Sequence, residues 1–139
     1  MQIGTLRCAL PLSCAVETLR PLPLQPIANA PEFVAGACVI RGEALPVVDL
    51  AKLLGATSAA PARFVVARAG AHKVALAVDA VTGTEHVTTE AMASVPPLLA
   101  SARSEAIAAL GTLDNELLLV LATARIVPDE VWASLADSR

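Results

Sequence analysis

Short apolar runs separated by turn-forming residues recur along the chain, and this pattern is typical of β-rich folds. The clearest alternation lies between Lys73 and Asp79, where valine, leucine and valine occupy every second position. A turn candidate at residues 69–72 precedes it, and another apolar run at residues 64–68 comes before that turn. Because glycine adopts the tight conformations that connect strands, we predict a β-hairpin over these residues.

Two more hairpins are predicted from the same kind of signal. One joins residues 110–113 to residues 116–121 through the turn pair Asp114 and Asn115, whose side chains favour turns by bonding to nearby backbone groups. The other lies within residues 34–48 and contains a less usual turn.

The third hairpin joins residues 34–40 to residues 44–48 through the turn Arg41, Gly42 and Glu43. Pro46 lies within its second strand. Since proline lacks the N–H that a central strand donates to its neighbours, we predict that this strand lies at a sheet edge or is bulged at Pro46.

Helical signals are brief. Asp49 is placed to cap a helix over residues 50–54, and Gly55 is a suitable C-terminal stop. Pro128, followed by two acidic residues, predicts a terminal helix that extends through Leu135. We therefore expect one helix of about a turn and a half in mid-chain and a second at the C-terminus.

Three segments do not show a clear period. Residues 20–31 carry four prolines and are expected to form an extended connection that wraps the body of the protein. Residues 56–61, with the sequence ATSAAP, are predicted to be an exposed linker where a two-lobed molecule changes lobes. Residues 101–110 are ambiguous between helix and strand, because serines that resemble caps precede an apolar run.

Composition narrows the class of protein. The chain has 139 residues, enough for one domain, of which 55% are hydrophobic and 17% charged, against about 25% charged in ordinary soluble domains. This excess predicts apolar surface that faces a protein partner. Apolar runs are far shorter than the roughly 20 residues that cross a bilayer, and the start does not resemble a secretory signal. We expect a cytoplasmic protein without direct membrane insertion.

Nucleic-acid binding is disfavoured by charge and by aromatic content. The formal net charge is −3, and lysines and arginines form no basic cluster. The aromatic residues that stack on bases are restricted to Phe33, Phe64 and Trp132. No nucleic-acid partner is therefore expected.

Catalytic and metal-binding patterns are also missing from the sequence. It contains none of the common phosphate-binding, zinc-protease or serine-hydrolase motifs. Cys8, Cys14 and Cys38 form no C-x-x-C pair, so we interpret them as reduced, partly buried apolar residues. A cysteine nucleophile with His72 or His86 as its base is the less favoured alternative. We expect no enzyme activity, no cofactor and no metal.

Three stretches together carry a resemblance to a known family: FVAGACVIRGEALPVVDLAKLLG, then VALAVDAVTG, then IAALGTLDNELLLVLATARIV. In the first, Gly36, Arg41, Gly42, Pro46 and Asp49 stand at the offsets of a G-x-x-N-L-R-G-x-x-x-P-V-x-D-L motif. This order is similar to the CheW coupling-protein family of bacterial chemotaxis, over nearly the whole chain.

The resemblance implies an all-β fold. Members have two five-stranded SH3-like β-barrels packed side by side, here with short helices after the first barrel and at the C-terminus. Residues 1–139 would form a single CheW-like domain of two intertwined barrel subdomains, with the proline-rich segment and the linker at about 56–61 lying where the chain passes between them. The ambiguous region is assigned to a strand from about residue 107 to 112. The short, aromatic-free N-terminal strand implies either a first barrel that is partly open at its edge or a truncated start.

The resemblance also implies a function. Family members are non-catalytic adaptors that hold the regulatory domain of a CheA-type histidine kinase against the cytoplasmic tip of methyl-accepting chemoreceptors. A CheW-like scaffold of a non-chemotactic phosphorelay is the nearest alternative, and capture of the partner kinase separates the two.

Candidate site residues follow from the family offsets. The family's functional arginine and glutamate correspond to Arg41 and Glu17, and we predict that their charged groups lie within ion-pair reach. Gly36 matches a glycine needed for partner binding, and Ala15 replaces a valine at the receptor contact. Ile40 stands directly beside the arginine. The predicted partner-binding set is Glu17, Arg41, Gly36, Ala15, Ile40 and Gly42. Without the resemblance, Arg41 would be interpreted as the solvated tip of a hairpin.

Overall fold

Strands dominate the computed structural model, which describes residues 1–3, 6–55, 61–81, 83, 88–90, 107–113 and 116–137. The strands are β1 (Gln2–Ile3), β2 (Leu6–Ala9), β3 (Ala15–Leu19), β4 (Val34–Ile40), β5 (Glu43–Asp49), β6 (Arg63–Ala69), β7 (His72–Val78), β8 (Thr88–Glu90), β9 (Ile107–Leu113) and β10 (Glu116–Leu121). The described residues also contain two α-helices, α1 (Leu50–Leu54) and α2 (Asp129–Asp137), and short 3-10 turns at Leu12–Cys14 and Thr123–Arg125. The predicted β-rich class is confirmed.

The strands form two five-stranded sheets. Sheet A has the order β1-β2-β10-β9-β8, and sheet B has the order β3-β6-β7-β5-β4. In sheet A the N-terminal strand β2 runs parallel to β10, which lies more than a hundred residues later in the chain. Sheet A is therefore built from both ends of the chain, and sheet B from its middle.

All three predicted strand pairs are present. β6 and β7 pair antiparallel, as do β4 and β5 and also β9 and β10. The assignment of residues 107–112 to a strand is confirmed by β9. The turn between β4 and β5 is shorter than predicted, because Glu43 already belongs to β5 and only Arg41 and Gly42 connect the strands. The turn pair Asp114 and Asn115 lies outside the described residues.

The prediction that the strand of Pro46 is an edge strand or is bulged there is wrong. β5 lies between β4 and β7, and the bulge of this hairpin falls in β4, between Val34 and Gly36. Pro46 is tolerated because it opposes Ala37, whose N–H and C=O bond outward to Gln25 and not to β5. On its other side, the pairing of β5 with β7 begins only at Val47.

The predicted places where the chain changes lobes differ from the places where it changes sheets. Residues 20–31 connect β3 to β4, and residues 56–61 connect α1 to β6, so both segments join elements of sheet B. The chain passes between sheets after β2 and again after β7. The reason is the distant pairing of β2 with β10, which no local signal reveals. Residues 56–60 lie outside the described residues, and Pro61 is exposed.

The proline-rich segment wraps the outer edge of sheet B, as predicted. Gln25 forms an isolated bridge with Ala37 of β4, in which the Gln25 N–H donates to the Ala37 carbonyl at 2.9 Å and the Ala37 N–H donates back at 2.8 Å. A Cβ on Gly36 would lie 2.6 Å from the Gln25 carbonyl oxygen. Glycine at this position therefore permits the close approach of the two backbones.

Sheet B buries side chains on both faces. The larger cluster combines its Val65, Leu76 and Val78 with Ile3 and Leu119 of sheet A, so the two sheets share one core. The opposite face forms a smaller cluster of Cys38, Val47, Phe64, Ala75 and Ala77. The alternation of large and small residues along β7 thus corresponds to two different cores.

Both predicted helices are confirmed. Asp49 accepts a hydrogen bond from the backbone N–H of Lys52 at 3.3 Å, and Gly55 ends α1 with φ of 69°. α2 begins at Asp129, directly after Pro128, with acidic residues in its first turn. No helix among the described residues is long and apolar enough to cross a membrane.

Candidate functional site

Arg41 has an unusual backbone conformation for its residue type. It forms the turn between β4 and β5 together with Gly42, and the two residues have φ of 53° and 78°. Positive φ at both positions is the pattern of a type I′ hairpin turn. Gly42 suits such a turn, and a Cβ there would meet nothing within 4 Å. An arginine with positive φ is uncommon, since its Cβ crowds the backbone.

The Arg41 side chain reaches across to Glu17 on β3. Its Nε donates to Glu17 Oε2 at 2.8 Å and its Nη2 donates to Oε1 at 3.2 Å, which makes a two-bond fork. The predicted ion pair is therefore confirmed. The Arg41 side chain is 77% exposed and that of Glu17 26%. The carboxylate is thus partly shielded by the protein, while the guanidinium faces solvent.

Local structure places Glu17 for this contact. The pairing of β3 with β6 is shifted between Ala15 and Glu17, so that one residue is inserted in β3 at Val16. Such a bulge changes the direction of the side chains that follow it.

Charge at the site favours the ionised carboxylate. The hydrogen bond from Arg41 is the main cause that holds the pKa of Glu17 below its usual value, and the positive charges of Arg41 and Lys73 act in the same direction. The same hydrogen bond raises the pKa of Arg41. Lys73 in turn lies near Glu43, with 3.9 Å between Nζ and Oε2. Two acidic and two basic side chains therefore surround this point.

A small cavity of about 170 Å³ lies beneath these charges. Its charged rim is formed by Glu17, Arg41, Glu43 and Lys73, and its apolar wall by Val16, Ile40, Leu45 and Val66. The Ile40 side chain also packs against the smaller core of sheet B. The arrangement can receive an apolar group of a partner between charges of both signs.

The structure separates the six predicted residues into two groups. Glu17, Arg41 and Ile40 line the cavity, and Gly42 completes the turn that presents Arg41. Ala15 is exposed at the start of β3 and does not line this cavity. Gly36 is buried against the proline-rich segment, so its contacts are those of a packing residue.

Glu43 and Lys73 belong to this site and were missed by the sequence reasoning. Glu43 is recoverable from the hairpin, because a two-residue turn places it opposite Ile40. To predict that Lys73 lies in this site, one must know that β5 and β7 are parallel neighbours, and only the complete sheet shows this.

Two of the three cysteines, Cys8 and Cys38, do not have the properties of a nucleophile. Burial raises the pKa of Cys8 to about 12 and also raises that of Cys38, which disfavours the reactive thiolate. Both thiols are buried, in agreement with their interpretation as apolar residues, and Cys14 is partly buried. Within the described ranges, no three His, Cys, Asp or Glu residues come together as metal ligands.

Comparisons with known proteins agree with this architecture. FrzA from Myxococcus xanthus is 32% identical over 107 residues, a match that spans 75% of this chain and 66% of that relative. The crystal structure of the scaffolding protein TtCheW from Thermoanaerobacter tengcongensis matches with a TM-score of 0.67 at 20% identity, covering 86% of this chain and 85% of that one. At this identity the likeness to TtCheW concerns the fold.

The family model of the CheW-like domain matches residues 1–131 of this chain. The resemblance in the three sequence stretches is thereby confirmed over almost the full length. CheW-like proteins are non-catalytic scaffolds of chemotaxis signalling, and this chain belongs to the CheW-like domain family.

Proposed function

We propose that this protein is a cytoplasmic adaptor that couples the cytoplasmic tips of chemoreceptors to the regulatory domain of a CheA-type histidine kinase. The observation that carries the proposal is the fork between Arg41 and Glu17, at the offsets where the family has its functional arginine and glutamate. Family membership supplies the general role, and the pair supplies a defined contact surface.

The local geometry supports a binding role for Arg41. Its fork with Glu17 uses one Nε–H and one Nη2–H, and the 77% exposure of the side chain leaves the rest of the guanidinium accessible. Positive φ at a non-glycine residue costs conformational energy, and such conformations concentrate at functional sites. A turn whose purpose is only to reverse the chain is better served by asparagine or glycine at this position.

The receptor tip is assigned to the surface formed by the rim residues Glu17 and Arg41 and by the neighbouring Ala15 and Ile40. Arginine is enriched at the centres of protein interfaces because its stem is apolar while its head makes directed hydrogen bonds. Gly36 acts on this surface indirectly, by holding β4 against the proline-rich segment. We further infer that each five-stranded sheet curls into an SH3-like barrel, so that the chain is one domain of two intertwined subdomains.

The test is direct binding of the purified protein to a chemoreceptor tip fragment and, separately, to the regulatory domain of a CheA-type kinase. Arg41→Gln removes the charge and the fork while keeping a long polar side chain. We expect its affinity for the receptor tip to fall by about tenfold or more, as for a central interface arginine, while the melting curve stays cooperative.

Arg63→Gln is the matched control, because Arg63 is an exposed arginine whose guanidinium donates to the neighbouring Ala62 carbonyl. Its affinity for both fragments should equal that of the wild type. If the wild-type protein binds neither fragment, the coupling function is wrong. If it binds a histidine kinase of another pathway instead, the protein is a scaffold of that phosphorelay.

A further inference from the structure

Strands β5 and β7 separate at the end that faces the Arg41 turn. Their parallel register pairs Val47 with Ala75 and ends with Asp49 and Ala77. Pro46, which has no N–H, stands directly before the first pair. Toward Glu43 and Lys73 no pairing of β5 with β7 is present among the described residues, and this unpaired end of the two strands is termed the slot.

This slot is shared by two cavities. The cavity of about 170 Å³ beneath Arg41 is lined by Glu43, Leu45 and Lys73. The same three residues line a second cavity of about 220 Å³, whose other walls include His72, Trp132 and Leu135. A common wall of three side chains therefore separates the Glu17–Arg41 pair from helix α2.

Helix α2 packs over its side of the slot through apolar side chains and one ring stack. Val131 and Leu135 are 2% and 8% exposed and join the shared core, while the Trp132 ring stacks on the His72 ring. The ring centroids lie 4.4 Å apart with 14° between the planes, a stacked arrangement. A helix of nine residues is marginal in water without such packing, so its position depends on these contacts.

The strand alternation connects the two sides. His72 and Lys73 are consecutive in β7, so their side chains point to opposite faces of sheet B. His72 meets helix α2 through Trp132, and Lys73 lies beside Glu43 at the rim of the Arg41 cavity. A shift of the start of β7 therefore moves both groups together.

We propose that His72 and Trp132 are positioning residues for the partner-binding surface, because their stack fixes helix α2 and the start of β7 and thereby holds Lys73 and Glu43 beside Glu17 and Arg41. The effect inside the chain stands independently of any partner. Its consequence for binding rests on the function proposed above.

The first experiment uses the free protein and has two spectroscopic readouts. Trp132 is the sole tryptophan of the chain, so its emission reports the stack directly. The NMR signal of the Arg41 Nε–H reports the fork with Glu17. In His72→Ala we expect altered Trp132 emission, a displaced Arg41 Nε–H signal and severalfold faster hydrogen exchange at that group. Trp132→Leu, which keeps an apolar side chain but no ring, should displace the Arg41 signal in the same way.

His72→Phe restores an aromatic stack and is expected to return the Arg41 signal to its wild-type position. Lys52→Ala is the control, because Lys52 is exposed on α1 and lines neither cavity. An Arg41 Nε–H signal that is the same in His72→Ala and wild type would overturn the positioning role.

The second experiment measures affinity for the chemoreceptor tip fragment. His72→Ala should bind about three- to tenfold more weakly, the usual range for residues that act through others, and His72→Phe should bind within twofold of wild type. Equal binding by wild type and His72→Ala would contradict the positioning role but not the proposed function. Failure of the wild type to bind would contradict the proposed function and leave the spectroscopic result to decide the coupling inside the chain.

Discussion

At the scale of single residues, Arg41 combines a strained backbone with a satisfied side chain. Arg41 has a positive φ, which is unfavourable for arginine, and its side chain meets the Glu17 carboxylate that follows the bulge at Val16. The turn and the bulge are separate local irregularities, on strands that are not neighbours in sheet B. The turn and the bulge both adjoin residues of the same two-bond contact, and this is the strongest argument that Arg41 is more than a solvated turn residue.

The Glu17 carboxylate is expected to titrate below the range of an ordinary glutamate, whose pKa is about 4.3, because the Arg41 hydrogen bond favours its charged form. Since the pKa is lowered on folding, the stabilising effect of the pair is complete above the unfolded pKa and is lost as the pH falls through the folded pKa. NMR titration of the Glu17 side-chain carbonyl measures this directly.

Arg41→Gln is the comparison that assigns the cause. It removes the main source of the shift, although Lys73 remains, so the Glu17 pKa should rise toward the ordinary range. A Glu17 pKa that is equally low in Arg41→Gln would show that Arg41 is not the cause.

At the scale of elements, the contact between the proline-rich segment and β4 depends on Gly36. In Gly36→Ala the added methyl group would lie 2.6 Å from the Gln25 carbonyl oxygen, so one backbone must move. We expect a loss of about 1–3 kcal/mol in the free energy of unfolding, as for other overpacked sites. Hydrogen exchange at the Ala37 amide, which donates to Gln25, should become faster.

Gly70→Ala separates this steric effect from the general cost of replacing a glycine. Gly70 has a positive φ of 64°, but a Cβ there would meet nothing within 4 Å. This variant should lose some stability through its turn while the exchange at Ala37 stays at the wild-type rate. Unchanged exchange at Ala37 in Gly36→Ala would mean that the segment does not depend on this glycine.

The elements that the sequence predicted correctly are those defined by neighbours along the chain. Hairpins, the Asp49 cap and the start of α2 depend on residues within a few positions, so composition and alternation reveal them. The prediction for the strand of Pro46 was wrong because the rule for proline assumes that a strand is paired along its whole length. In β5 the pairing with β7 starts one residue later, and only the parallel neighbour from a distant part of the chain shows it.

The candidate site, like the elements, could be predicted from the sequence only in part. The Glu17–Arg41 pair followed from the offsets of a resemblance, since nothing in the residues between positions 17 and 41 indicates that the two side chains meet. Lys73 and the slot beside it could not be found in this way, because they depend on the order of strands in sheet B.

At the scale of the whole molecule, both sheets combine strands from the two sides of residues 56–60. β3 pairs with β6, β5 with β7, and β2 with β10, so each sheet is assembled from the first and the second part of the chain. The larger core also draws on both parts of the chain. Cutting the chain at this point therefore removes one covalent link and none of these contacts.

We accordingly expect a protein cut at a protease site engineered between Gly55 and Pro61 to remain one folded particle. The two fragments should coelute in native size-exclusion chromatography and separate in denaturant, and the cut protein should unfold in a single transition at lower stability, because the fragments regain translational freedom on unfolding. An uncut sample of the same variant is the control for the inserted site. If the fragments separate in native buffer, or if one fragment unfolds before the other, the strand pairs across the cut do not hold the fragments together and the single intertwined domain is wrong.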